Sequence, residues 1–197
     1  MEIIKINPRK LENEKIRKLI KSLKEGKVVV CPTDTVYGLI CKADDKKALR
    51  KIISIKKRSL LKPIPIFVGS LSMAKKLSFL NKKQEVFLKK VWPGATTAVL
   101  KAKKSIPFIT TREKTIGLRM PDYNLILSLI KYLKYPLAET SINISGKPPL
   151  SKIKDIVSEF KNKKTKPDII VDVGNLLKAK PSVVLDLTVI PPKILRK

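Results

Sequence analysis

The sequence contains no histidine and only two cysteines, Cys31 and Cys41. The cysteines do not form a CxxC pair, so the chain cannot assemble a zinc site of the usual composition. Isolated cysteines of this kind usually behave as small hydrophobic residues. We therefore expect both to be reduced and half-buried in strands, as is typical of proteins in a reducing compartment.

Long apolar segments are missing as well. No stretch approaches the roughly 18 consecutive apolar residues of a membrane span, and residues 1–5 do not have the pattern of a signal peptide. We expect a soluble, cytoplasmic protein with no membrane contact. A length of 197 residues is enough for one domain with a substantial core, and we expect residues 1–197 to form that single domain.

Acidic residues are scarce: the chain has 16 Asp and Glu but 44 Lys and Arg, a formal net charge of +28. Such a charge favours a polyanionic partner. Only seven of the basic residues are arginine, however, and arginine is the residue suited to bidentate phosphate and base contacts. An excess of lysine is equally typical of compositional drift. We expect weak, transient tRNA contact, and a dedicated RNA-binding or ribosome-associated module is the alternative function.

Hydrophobic periodicity predicts an α/β domain. We expect strands at residues 2–6, 27–31, 64–68, 96–100, 115–118, 136–138, 169–173 and 183–187. We expect helices at residues 11–25, 46–55, 71–77, 83–91, 124–132 and 153–160, the first of them capped by Asn7-Pro8. Because several strands follow one another without a helix between them, the sheet should be mixed.

Four polar clusters remain once the core positions are assigned. They are residues 33–38, residues 56–58 with Lys62-Pro63, residues 115–119, and residues 141–146 with Ser182 and Arg196 further along the chain. Each lies where a strand or helix stops, so short loops can bring the clusters to one face. A Ser-x-Asn-x-Ser-Gly segment alone is more often a turn, and a Lys-x-Arg pair is more often a solvated helix end. The combination indicates a ligand site.

Together these motifs resemble the YrdC-like family of L-threonylcarbamoyl-AMP synthases, in a short single-domain form. The matching segments are Pro32-Thr33-Asp34-Thr35-Val36-Tyr37-Gly38-Leu39, Lys56-x-Arg58, Lys62-Pro63-Ile64, Trp92-Pro93-Gly94, Gly117-Leu118-Arg119-Met120-Pro121, Ser141-Ile142-Asn143-Ile144-Ser145-Gly146 and Pro181-Ser182-Val183-Val184-Leu185-Asp186, with Ile194-Leu195-Arg196-Lys197 similar to a closing strand and arginine. The resemblance implies a twisted mixed parallel and antiparallel sheet with surrounding helices and a deep basic cavity.

The resemblance also implies a reaction. L-threonine, bicarbonate and ATP would be joined into threonylcarbamoyl-AMP with release of pyrophosphate, as a nucleotidyltransferase does. A tRNA threonylcarbamoyl transferase machinery would then use this product to modify an adenosine beside the anticodon. No covalent enzyme intermediate is implied, which fits a chain with no histidine and no obvious activated nucleophile. Positioning and charge would carry the catalysis.

The site residues follow from the same resemblance. For ATP, the phosphate charge calls for cations and compact hydroxyl or amide donors; the candidates are Lys56, Arg58, Lys62, Thr115, Ser141, Asn143, Ser182 and Arg196. A magnesium ion would accompany ATP, held mostly by the nucleotide and water. For threonine, the candidates are Thr33, Thr35, Tyr37, Arg119 and Glu139, with Arg119 on the carboxylate and Glu139 contributing main-chain contacts.

Two of these residues have a second interpretation. Tyr37 fits a packed core aromatic nearly as well as a pocket wall, and Arg119 could form a surface salt bridge. Two residues depart from the family pattern, since Phe67 stands where many members have histidine and Glu139 replaces a small residue. The charge of Glu139 would repel the threonine carboxylate if it pointed inward.

A third function, carbamoyl-phosphate-dependent adenylation as in hydrogenase-maturation carbamoyltransferases, is less favoured because the chain has no room for their additional modules.

Overall fold

The computed structural model describes residues 1–59, 62–177 and 180–197. Within these residues the chain forms ten strands and six helices. The strands are β1 (Glu2–Lys5), β2 (Val29–Cys31), β3 (Gly38–Lys42), β4 (Ile66–Phe67), β5 (Thr96–Lys101), β6 (Thr115–Arg119), β7 (Leu137–Ser141), β8 (Ile169–Asp172), β9 (Val183–Asp186) and β10 (Lys193–Arg196). The helices are α1 (Asn13–Lys24), α2 (Lys46–Lys56), α3 (Leu71–Leu77), α4 (Lys82–Val91), α5 (Asn124–Leu133) and α6 (Ile153–Phe160).

All of these strands belong to one sheet, in the order β1-β8-β2-β3-β7-β4-β6-β5-β9-β10. The pairs β1/β8, β8/β2, β4/β6 and β5/β9 are parallel. The pairs β2/β3, β3/β7, β7/β4, β6/β5 and β9/β10 are antiparallel. This arrangement confirms the prediction of a mixed sheet.

The two faces of the sheet are covered differently. Because side chains alternate along a strand, Leu39, Ile66 and Leu118 point to one face, where they join a core cluster with Leu49 and Ile52 of α2. This cluster is the larger of the two in the described residues, and it extends over β5 and β6 as well.

The opposite face is covered over only part of its width. Ile40, Phe67 and Leu137 form a second core cluster there with Leu19 of α1 and Leu125 of α5. This cluster ends at β4. Beyond it the same face of β6, β5, β9 and β10 is not covered by these helices, and the sheet forms the floor of a cleft.

Two local predictions differ from the structure. The segment 38–42 forms β3, which is absent from the list of predicted strands although Cys41 was expected to lie in a strand; its apolar Leu39, Ile40 and Cys41 are fully buried. The prediction that Asn7-Pro8 caps α1 is wrong: the Asn7 side chain instead accepts a hydrogen bond from the Arg9 amide in a turn, and α1 begins at Asn13.

Both cysteines lie in strands, as expected, but Cys31 and Cys41 are fully rather than half buried, and both are free thiols. Burial raises the pKa of each thiol well above its usual value. They are therefore inert core residues. None of the helices in the described part of the chain has the length and apolar character that crossing a membrane requires.

Candidate functional site

The open half of the sheet forms a cleft of about 870 Å³. Four residues predicted from the sequence line it directly, namely Arg58, Lys62, Thr115 and Arg196. The other lining residues are Pro63, Pro65, Thr97, Val99, Lys101, Thr111, Glu113, Gly117, Val184, Asp186, Thr188 and Leu195. Cations outnumber anions in this lining, so the predicted basic cavity is present.

Arg58 lies just after α2 and organises one wall of the cleft. Its guanidinium donates to the carbonyl oxygens of Lys62 at 3.2 Å and Pro63 at 2.8 Å. The exposed Lys62 also lines the cleft. Burial lowers the pKa of Arg58, and the neighbouring charge of Arg196 acts in the same direction.

Lys56, the last residue of α2, is only 2% exposed. Its ammonium donates to the Asn143 side-chain oxygen at 2.7 Å, to the Asn143 carbonyl at 3.2 Å and to the Ser141 carbonyl. The Ser141 hydroxyl also donates to the Asn143 side chain, at 2.8 Å. The three predicted residues therefore form one cluster, in which the lysine holds the turn after β7. Burial lowers the pKa of Lys56 to about 8.

Ser182 and Arg196 close the far side of the cleft. The Arg196 guanidinium donates to the Ser182 carbonyl at 2.8 Å and to its hydroxyl at 3.0 Å. The Ser182 hydroxyl lies 2.9 Å from that of Thr97 on β5, which lines the cleft. These contacts fix β10 against β9 and bring the last predicted cation to the same cleft as Arg58.

Of the predicted threonine residues, Thr35 contacts Arg119 at the end of β6 and Thr33 contacts Thr35. Arg119 is 3% exposed and forms an ion pair of 2.6 Å with Asp34. Its guanidinium also donates to the Thr35 hydroxyl at 3.3 Å and to the Gly94 carbonyl at 2.9 Å. The reading of a surface salt bridge is therefore wrong, because this ion pair is buried.

The partners of Arg119 are themselves fixed. The Thr33 hydroxyl donates to the Val36 carbonyl at 2.7 Å and accepts from the Thr35 amide at 3.0 Å, which holds the turn between β2 and β3. Phe67, which stands at the histidine position of the family pattern, is fully buried with the Arg119 guanidinium 5.6 Å from its ring centre. The aromatic ring thus contacts the arginine.

Tyr37 is fully buried in the larger core cluster. Its hydroxyl donates to the Gly174 carbonyl at 2.8 Å and accepts from the Val173 amide at 3.2 Å. These contacts favour the reading of a packed core aromatic. A contact between Tyr37 and a ligand stays a prediction.

Glu139 on β7 lies between the residues predicted to bind ATP and those predicted to bind threonine. Its backbone amide donates to the carbonyl of Pro65, a cleft residue, at 2.9 Å. Burial raises the pKa of the carboxyl to about 7, although the charges of Arg119, Lys56 and Arg196 act to lower it. The carboxylate therefore interacts with cations from both the ATP set and the threonine set.

The donor chemistry bears on the magnesium ion expected with ATP. The described residues contain no group of three or more Asp, Glu, Cys or His side chains that could hold a metal ion. Of the two acidic residues in the cleft lining, Asp186 already accepts bonds from the amide and hydroxyl of Thr188. The residues fit a magnesium ion held by phosphates and water, which is how the ion commonly binds with nucleotides.

A second cavity, of about 910 Å³, lies between α3 and α5 and has Met73, Leu77, Leu127 and Ile130 among its lining residues. None of the predicted site residues lines it. The chemistry therefore points to the cleft over β5 and β6, although the two cavities are similar in size.

Several contributors to the site were not assigned from the sequence. Asp34 lies within the first motif and pairs with Arg119, while Thr97, Lys101 and Asp186 line the cleft. Asp34 could have been found, because a carboxylate between two buried threonines requires a partner. The local sequence around Thr97, Lys101 and Asp186 does not indicate that they line a cleft, because this depends on which strands are neighbours in the sheet.

The chain is similar to known proteins of one family. The profile of the Sua5/YciO/YrdC family, described as telomere recombination, matches residues 21–197. A protein of Methanocaldococcus jannaschii is 35% identical over 192 residues, which are 94% of this chain and 87% of that protein. A Pyrococcus abyssi protein named threonylcarbamoyl-AMP synthase is 36% identical over 98% of this chain, and the chain spans 56% of its length.

Two solved structures match the chain over its whole length. P. abyssi Sua5 complexed with L-threonine matches with a TM-score of 0.91 and 34% identity, over all of this chain and 57% of that chain. Escherichia coli YciO, whose protein name is uncharacterized, matches with a TM-score of 0.90 and 29% identity, over all of this chain and 96% of its own. These findings confirm the family resemblance and the fold, and the synthase names confirm the enzyme class, a nucleotidyltransferase, at the level of the family.

Proposed function

The chain belongs to the Sua5/YciO/YrdC family, and we propose that it is an L-threonylcarbamoyladenylate synthase. The reaction joins L-threonine, bicarbonate and ATP into threonylcarbamoyl-AMP and releases pyrophosphate. The observation that carries the proposal is one basic cleft on a sheet face that also carries the buried Arg119 at the end of β6. Arg58, Lys62 and Arg196 converge on this cleft from separate parts of the chain.

ATP occupies the cleft. Arg58, Lys62, Lys101 and Arg196 are the cations available to its phosphates, and fixed positive charge is what stabilises phosphoryl oxygens during displacement at phosphorus. The hydroxyls of Thr115 and Ser182 and the turn at Ser141 and Asn143 provide compact neutral donors. Lys56 contributes mainly by holding that turn and by its charge.

L-threonine binds beside Arg119. The P. abyssi relative with a TM-score of 0.91 is complexed with this amino acid. Among the described residues, Arg119 donates to Gly94, Thr35 and Asp34, so two of its five guanidinium hydrogens are available there. They suffice for a charge-assisted contact with the carboxylate. Thr35 contacts Arg119 and Thr33 contacts Thr35, and their hydroxyls are the partners for the substrate hydroxyl.

The chemistry requires orientation rather than a protein nucleophile. The threonine amine attacks bicarbonate to give a carbamate, and a carbamate oxygen then displaces pyrophosphate from the α-phosphate of ATP. Magnesium, when bound with ATP, supplies additional charge neutralisation at the phosphates. The cationic cleft holds the triphosphate in line with the carbamate, and placing two bound reactants in this way supplies much of the rate acceleration.

The test is pyrophosphate release measured with each of ATP, L-threonine and bicarbonate left out in turn. Full activity should need all three. Arg58→Met should weaken ATP binding about 10- to 100-fold, since a charge-assisted bond is worth about 1.5–3 kcal/mol. The exposed Arg112→Met is the matched control, for which we expect wild-type binding. Pyrophosphate release that ignores threonine would contradict the proposal.

The two other functions give different results in the same assay. A non-catalytic RNA-binding module, which the net charge of +28 favours, would show RNA affinity that Arg58→Met weakens but no turnover. Carbamoyl-phosphate-dependent adenylation would show turnover only when carbamoyl phosphate replaces bicarbonate.

We also propose that the product passes to a tRNA threonylcarbamoyl transferase, with at most weak tRNA contact by this chain. The protein acts in the cytoplasm, in keeping with its two free thiols.

A further inference from the structure

The Glu139 carboxylate lies at the junction of the two substrate regions. Glu139 interacts electrostatically with Arg119 on the threonine side and with Lys56 and Arg196 on the ATP side, and Arg58 is also within its field. The amine of threonine and the α-phosphate of ATP must meet at such a junction. An anion among these cations therefore requires an explanation.

The structure leaves this carboxylate available. Among the described residues, none donates a hydrogen bond to the Glu139 carboxylate and none forms an ion pair with it, although the residue is only partly exposed. By contrast, the other buried charges of the site are engaged: Arg119 with Asp34, and Lys56 with Asn143. A partly buried carboxylate without a protein partner is suited to a ligand cation.

Gly38 creates the space that the carboxylate occupies. In β3 and β7, Gly38 is paired with Ser141 and Ile40 with Glu139, so the four side-chain positions share one face of the sheet. A Cβ atom at position 38 would lie 2.5 Å from one Glu139 carboxylate oxygen. The motif glycine thus lets the carboxylate lie against the backbone of Gly38, where it interacts electrostatically with Arg119.

We propose that Glu139 binds the ammonium group of the amino acid substrate and accepts a proton from it. This inference rests on the proposed function and deepens it. The ammonium transfers one proton to the carboxylate, which leaves a neutral amine with a free electron pair. The amine attacks the carbon of bicarbonate, a C–N bond forms and water leaves, and the carbamate remains. The proton on Glu139 then passes to solvent.

The surroundings of Glu139 match this role. Burial raises the pKa of the carboxyl to about 7, close to neutral pH, where a general base is most effective. The charged groups that face it are Lys56 of α2, Arg58 of the following loop, Arg119 of β6 and Arg196 of β10, with Asp34 after β2 as the like charge. Arg119 would hold the substrate carboxylate, so Glu139 and Arg119 together recognise the two ends of a zwitterion.

The experiment compares wild type with Glu139→Gln and Glu139→Asp. The measured quantities are kcat and KM for L-threonine between pH 5.5 and 8.5, with ATP and bicarbonate saturating. Glu139→Gln should lower kcat/KM about 100- to 1000-fold, in the range of a lost general base, and should lose the acidic limb of the profile. Glu139→Asp keeps a carboxylate and should retain that limb at a reduced rate.

A second readout does not depend on turnover. L-threonine binding is measured by calorimetry at pH 7 in two buffers of different ionisation enthalpy. Wild type should release protons on binding, because an ammonium beside Glu139 favours its charged form, whereas Glu139→Gln should release none. The affinity of Glu139→Gln for ATP should not fall below that of wild type, since loss of a negative charge near Lys56 and Arg196 does not weaken their attraction for the phosphates. Glu14→Gln on the exposed side of α1 is the control.

The outcomes are distinguishable. If wild type turns over with threonine and Glu139→Gln matches it at every pH, the role of Glu139 is overturned and the proposed function stands. If Glu139→Gln loses ATP affinity as much as activity, the residue only arranges the cations, and the inference is again overturned. If wild type releases no pyrophosphate with threonine, the proposed function fails and the inference fails with it.

Discussion

The Lys56 ammonium donates a hydrogen bond of 2.7 Å to the Asn143 side-chain oxygen and so joins the end of α2 to the turn after β7. The same ammonium also reaches the carbonyl oxygens of Ser141 and Asn143. A residue expected to contact ATP phosphates is therefore engaged with the loop that carries the neutral donors. The shape of the nucleotide site depends on this buried lysine.

Replacing Lys56 should affect both stability and binding. Lys56→Met keeps most of the length of the side chain but removes one donor from each of three oxygen acceptors, which should cost about 2–3 kcal/mol of unfolding free energy. ATP affinity should fall as the turn loosens. Urea denaturation and ATP titration test this, with the adjacent exposed Lys57→Met as control. If Lys56→Met is as stable as Lys57→Met and binds ATP with the same affinity, Lys56 does not hold the turn after β7 in the way described.

ATP binding should also depend on pH through Lys56. Burial lowers the pKa of this lysine to about 8 from 10.5, so above pH 8 the folded protein loses the proton and the cleft loses one positive charge. ATP affinity should therefore decline between pH 8 and 9.5, and Lys56→Met should show no such decline. The unfolded chain keeps the proton up to higher pH, so the unfolding free energy of wild type relative to Lys56→Met should rise over the same interval.

The ion pair of Asp34 with Arg119 should be costly to break. Asp34→Asn leaves the Arg119 charge buried without its counterion, which should lower the unfolding free energy by about 3–5 kcal/mol. Glu12→Gln breaks an exposed pair with Lys15 of similar length, and we expect a loss below about 1 kcal/mol. Thermal or urea unfolding of the two variants compares them directly. Equal losses in both would contradict a buried, structurally required pair.

Gly38→Ala should disturb Glu139 without removing it. The added methyl group would lie 2.5 Å from a carboxylate oxygen, and the flexible end of the glutamate can move away. We expect the unfolding free energy to change by less than about 1 kcal/mol. Activity should fall about 100-fold, because small displacements of catalytic groups greatly lower the reaction rate. Steady-state kinetics and urea unfolding of the same preparation test both parts. Wild-type kinetics in Gly38→Ala would show that the carboxylate position is unimportant.

The sequence was sufficient for much of the site because polar motifs at strand ends are local signals. Arg119 follows an apolar strand, and Ser141 lies in the Ser-x-Asn turn, so both could be placed at an edge without coordinates. In the structure both lie on strands near Glu139, and their contact with a ligand stays a prediction. Alternation along β7 could also have shown that Glu139 and Ser141 share a face.

The remaining features depend on long-range pairing. β7 lies between β3 and β4, although these three segments are far apart in the chain, and this order brings Glu139 next to Gly38. Nor could local pattern reveal that Lys56 would be buried at 2% exposure, since a lysine at a helix end is usually solvated. Tyr37 illustrates the opposite case, in which a motif residue proves to be fully buried.

The most direct test of the account is the identity of the product. The protein is incubated with ATP, L-threonine and ¹³C-labelled bicarbonate, and the nucleotides are analysed by mass spectrometry. We expect a threonylcarbamoyl-AMP species that carries a single ¹³C atom, together with one pyrophosphate for each product molecule. If AMP and pyrophosphate form without an adduct, or if the adduct contains no label, the cleft does not join these three substrates.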